Sequence, residues 1–113
     1  MNILKTLFLF VVLLANFSLA NELVEDRLEN KIEFKLSKIL PYKLDIDVDI
    51  HKSLMNIEVE IEEKLQKNLD YNFLCEQILS YLDDDIKNLD IYIVFKEDFF
   101  DKERILFSKT FKK

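Results

Sequence analysis

Six carboxylates stand at alternate positions in the stretch "LDIDVDIHKSLMNIEVEIEE", residues 44–63: Asp45, Asp47 and Asp49, then Glu58, Glu60 and Glu62. Acidic oxygens at that density are what a hard divalent cation prefers, so a cation-binding face is one reading of them. The intervening residues argue for another. Leu44, Ile46, Val48 and Ile50, then Ile57, Val59 and Ile61, recur at period two, and such alternation marks two strands with one buried and one wet face. Carboxylates on a flat sheet project in parallel and do not converge on an ion. "DIDVDI" also has Ile50 where a calcium loop needs glycine. The acid face therefore reads first as a solvated surface that keeps a sheet from aggregating, with metal binding as the alternative.

The other reactive residue types are sparse. Cys75 is the only cysteine and His51 the only histidine. No internal disulfide, no histidine-rich zinc site and no Ser-His-Asp arrangement is suggested by such a set. Cys75 falls in a helical apolar pattern, which predicts a buried thiol. His51 falls beside Lys52 at the hairpin turn and is expected to be exposed. "DDD" at 83–85 reads as a solvated helix end, with contact to a basic protein as the sharper reading. "EDFFDKE", 97–103, places Phe99 and Phe100 side by side between two strands. Adjacent residues of a strand face opposite ways, so both rings cannot enter one core. Either one folds under a helix end, or the pair forms an exposed aromatic contact for a partner or a second copy. No catalytic residue and no cofactor is predicted, and the protein is expected not to be an enzyme. No family signature stands in the chain from which site residues can be transferred.

Composition narrows the class. The chain has 113 residues with no glycine and one proline, Pro41. Phosphate-cradling loops, dinucleotide fingerprints and Asn-Gly hairpin turns all need glycine. "MNILK", the apolar run "TLFLFVVLLANF" and "SLA" before Asn21 read as a signal peptide cleaved after Ala20. The run is shorter than the roughly 20 residues that span a bilayer. Residues 1–20 are thus a cleaved leader, and 21–113 a single domain exported to the periplasm or beyond, with no membrane anchor after cleavage. Removing the leader with its one charge, Lys5, takes the formal net charge from −6 to −7. That balance argues against nucleic acid, whose binding depends on neutralising phosphates. The expected partner is an envelope or secreted protein, with a homodimer as a possibility.

These residues need elements to hold them. In "NELVEDRLENKIEFKLSKIL", Leu28, Ile32, Leu36 and Leu40 recur every four, with Val24 and Ile39 widening the stripe, and Pro41 ends the helix. Strands follow at 43–51 and 56–63. Pairing positions so that Ile50 faces Ile57, Val48 faces Val59 and Ile46 faces Ile61 sets Asp49, Asp47 and Asp45 opposite Glu58, Glu60 and Glu62. A slip by two residues preserves both faces; a slip by one buries acid. A second helix is expected within 68–88, capped by Asn68 or Asp70, with Leu74, Ile78, Leu82 and Ile86 as its stripe and Phe73, Cys75 and Leu79 beside it. "LDIYIVFKE" is a strand with Leu89, Ile91, Ile93 and Phe95 on one side. "ERILFSKTF" offers Ile105, Phe107 and Phe111 at strand spacing, interrupted by Lys109, with a helix from Asp101 as the alternative. The order predicts an α+β fold: a two-layer α-β-β-α-β-β domain, its sheet of about four strands largely antiparallel, with two helices on one face. Lys96, Lys102 and Arg104 are then placed to neutralise the acid face, depending on strand order.

Overall fold

The computed structural model describes residues 21–86 and 88–113; the proposed leader lies outside the described residues. The fold is the expected small α+β domain, two helices on one face of a four-stranded mixed sheet. Helix α1 covers residues 21–36. Leu28, Ile32, Leu36 and Leu40 are buried, while Ile39 projects to solvent because the helix gives way to a turn at 37–39, ahead of Pro41. The strands are β1 (Leu44–His51), β2 (Leu54–Ile61), β3 (Asp90–Phe99) and β4 (Lys102–Phe111). Helix α2 (Tyr71–Ser80) links β2 to β3. Asp70 is its N-cap, accepting from the Phe73 backbone N–H at 3.1 Å, which satisfies one of the free donors of a first helical turn.

The strands lie in sequence order, β1-β2-β3-β4. Both hairpins are antiparallel, and β2 runs parallel to β3. That central parallel pair follows from α2, since a helical crossover returns the chain to start β3 beside β2 in the same direction. The core lies between the sheet and the helices. It joins Leu28, Ile32 and Leu36 of α1 and Leu74, Cys75 and Ile78 of α2 to the inward residues of β1, β2 and β3.

Three further expectations are corrected. First, the β1–β2 register differs by two residues from the expected one: Ile50 faces Met55, Val48 faces Ile57 and Ile46 faces Val59. A two-residue turn, Lys52–Ser53, lets β2 begin at Leu54 instead of 56, and the even slip keeps Leu44, Ile46, Val48, Ile57, Val59 and Ile61 inside. Second, α2 stops at Ser80, and a short 3-10 turn, Asp84–Ile86, brings Ile86 back onto the core. Phe73, expected beside the stripe, is instead exposed. Third, residues 102–111 are a strand, but Ile105 is not on the side of Phe107 and Phe111. Phe95 faces Phe107 while Lys96 faces Ile105, so Leu106 is an extra, bulged residue. One inserted residue reverses the facing of everything before it. Ile105 thereby turns outward, 62% exposed, and Leu106 packs against the core in its place.

The absence of glycine from the chain shows at the turns. Both hairpins are closed by two-residue turns without it, holding Lys52, Phe100 and Asp101 at positive φ (57°, 53° and 59°). Two successive positive φ values at Phe100–Asp101 are what a type I′ hairpin turn requires. Among the described residues, no helix is long and apolar enough to cross a membrane.

Candidate functional site

The end of the β3–β4 hairpin displays two aromatic rings. Phe100 occupies the first turn position with its ring 83% exposed; Phe99 ends β3 and is 38% exposed. The two rings meet at 4.3 Å between centroids, tilted by 57°, an edge-to-face contact of the kind aromatic pairs prefer. Beneath them the strand side chains are polar and paired. Continuing the alternation of Ile91, Ile93 and Phe95 puts Glu97 on the helix side of the sheet, where it is 6% exposed. Its Oε1 accepts the Leu65 backbone N–H at 3.1 Å and its Oε2 accepts from Arg104 Nη2 at 2.7 Å. Glu97 thus ties the loop after β2 to the base of the tip. Lys64, from that same loop, lies 5.9 Å from the Phe99 ring centroid, within the range of a cation–π contact. An open pocket lined by Lys64, Glu97, Phe99, Lys102 and Arg104 results.

The acid face is differently placed from what the alternation implied. Asp45 faces Glu60 and Asp47 faces Glu58, but Asp49 faces Asn56, and Glu62 lies past the end of β2. Glu62 pairs with Lys43 at 3.2 Å. Lys96, on the middle of β3, reaches Glu58 at 2.8 Å and Glu103 at 2.7 Å. Its hydrogen bonds to Glu103 and then Glu58 hold its pKa well above the usual lysine range. Lys96 is the neutraliser that strand order had to decide; Arg104 serves Glu97 instead. Glu60 titrates above the usual carboxylate range, through burial first and then the adjoining Asp98. Among the described residues, no group of three or more His, Cys, Asp or Glu side chains is gathered closely enough to hold a metal ion.

The remaining singled-out residues have structural surroundings. Asp83, of the acidic 83–85 run, bonds Arg27 at 2.6 Å and lies 3.7 Å from Lys31, both on α1. Cys75 is 1% exposed, and burial pushes its thiol pKa up to about 11. His51 ends β1 in an exposed position.

Sequence reading passed over one arrangement. β1 is an edge strand, and α1 lies along it: the Glu29 carboxylate accepts the Val48 N–H at 2.9 Å, and Glu25 accepts the Ile50 N–H at 3.5 Å. Four residues of helix rise about 6 Å and two residues of strand about 6.6 Å, so glutamates four apart match donors two apart. The signal was there in Glu25 and Glu29 flanking the Val24–Leu28–Ile32 stripe, but only the placement of the helix against an edge gives it meaning. Comparison with protein-family models, with curated proteins and with solved structures finds no match for this chain.

Proposed function

We propose that this protein is a small exported, non-enzymatic interaction module whose contact with an envelope or secreted protein is the Phe99–Phe100 tip. The observation that carries the reading is Phe100 itself. A bulky L-residue in the left-handed region costs roughly 1–2 kcal/mol, and the Phe100 ring is 83% exposed. Any Asn or Gly would close the same turn at less cost. Strain of this kind persists where the surroundings hold it and clusters at sites of binding. Aromatic side chains have few rotatable bonds and so lose little entropy on docking, which suits them to anchor an interface.

The test is the pair Phe99→Ser and Phe100→Ser, introduced together. The expected outcome is a domain with an unchanged circular dichroism spectrum and cooperative melt that no longer retains its partner in a pull-down. Collapse of the fold on substitution of Phe100 alone would make that ring part of the core and remove the reading.

A further inference from the structure

We infer that the cationic pocket beside the aromatic tip takes a carboxylate from the partner, so that the ligand is an extended acidic protein segment with an apolar residue next to its acid. This rests on the reading of the tip as a contact site and adds the chemistry of what it contacts.

The chain as a whole is acidic, at −6, yet the side chains that line the pocket itself have the opposite balance, with Glu63, Asp98, Asp101 and Glu103 around it. Lys64, Lys102 and Arg104 line the pocket with one carboxylate, Glu97. Both Glu97 oxygens are already engaged, by the Leu65 N–H and by Arg104. Lys64 and Lys102 are exposed, and neither makes an ion pair among the described residues. Two cations beside a spent carboxylate, Lys102 on the hairpin and Lys64 on the loop after β2, form a place for an incoming anion, to which opposite charge gives specificity.

Three features point to a protein segment. The pocket is continuous through Phe99 with the exposed Phe100 ring, so an acid in the pocket sets its neighbour against an apolar surface. β4 leads away from the pocket as the outer strand of the sheet, with no neighbour on its far side among the described residues. By contrast the other edge, β1, is closed by Glu25 and Glu29. A strand edge offers backbone donors and acceptors to an extended chain, as in recognition by strand addition. With Arg104 spent on Glu97, Lys112 near Asp90 and Glu103 on Lys96, β4 and the residues after it still carry Lys102, Lys109 and Lys113, a charge that repels a second copy of the same edge and attracts an acidic strand.

A library of random extended peptides, displayed on phage and selected on the purified protein, tests this. The comparison proteins are a Lys64→Glu, Lys102→Glu double variant, whose changed residues are exposed, and Phe100→Ser. The expected winners carry two or more Asp or Glu beside an aromatic or aliphatic residue. They should bind the charge-reversed variant about tenfold more weakly or worse and weaken as salt is raised. Winners without acids, lost on Phe100→Ser but unaffected by the charge reversal, would overturn the inference while the tip stands as a contact. Winners indifferent to Phe100→Ser, or no winners above background, would overturn both.

Discussion

At the residue scale the domain is decided by a few side chains whose surroundings override their usual behaviour. Phe100 sits at φ 53° where glycine is the easy choice. Phe100→Gly should therefore raise stability by up to about 1 kcal/mol, the relieved left-handed strain less the extra freedom glycine has when unfolded. Urea denaturation measures it, and the partner contact should be lost in the same variant. A destabilised Phe100→Gly would mean that the ring holds the hairpin together. Cys75 gives a second check. With its thiol buried and its pKa at about 11, little thiolate exists at neutral pH. Labelling by iodoacetamide should be slow in the folded protein and become fast only across the unfolding transition. Rapid labelling under native conditions would show that α2 opens on its own. Burial of Cys75 was legible from its place in a helical stripe; the strain at Phe100 was not, because turn geometry depends on how β3 and β4 pair.

At the element scale, the two sheet edges are treated differently. α1 closes β1 with Glu25 and Glu29, and Glu29 titrates above the usual range, mainly through burial, with the Val48 N–H pulling the other way. A carboxyl whose folded pKa is raised favours the folded state increasingly as pH falls through that pKa, so protonation of Glu29 should not destabilise the domain on mild acidification, although it weakens the bond from the Val48 N–H. Glu29→Gln keeps the acceptor and should be nearly neutral at pH 7. Glu29→Ala strands the Val48 donor and should cost about 1–3 kcal/mol, with a rise in aggregation through the opened edge. Equal stability of the Gln and Ala variants would show that the bond carries nothing. Element order and inward faces were readable here, since period two and period 3.6 separate cleanly in 44–63 and 24–36. Register and the Leu106 bulge were not. The first hairpin permits any even slip without burying acid, and nothing local marks Leu106 as the extra residue.

At the scale of the whole molecule, the acid face and the aromatic tip are distinct surfaces on one sheet. The first hairpin brings Asp47 opposite Glu58, and strand order brings Lys96 between Glu58 and Glu103. The domain thus neutralises part of its own acid face, which the alternation alone could not foretell. Thermal melts in low salt, with calcium, magnesium, or sodium chloride at matched ionic strength, should show the same gain from each, as expected for screening. A further, saturable gain from a divalent ion would mean a bound cation, since a ligand specific to the folded state adds RT ln(1 + [L]/Kd). The candidate contact was legible only in part. Adjacent Phe99 and Phe100 could be picked out by chain parity, whereas Lys64 comes from a loop 35 residues before Phe99 and reaches its ring where Glu97 ties that loop down.

The central claim is tested most directly by placing a photo-crosslinking phenylalanine analogue at position 100 in cells making the full chain, with the exposed Glu76 of α2 as the comparison position. The account predicts one discrete cross-linked protein from position 100, none from position 76, and loss of the product when Lys64→Glu and Lys102→Glu are added. No product from position 100, or the same products from both positions, would contradict it.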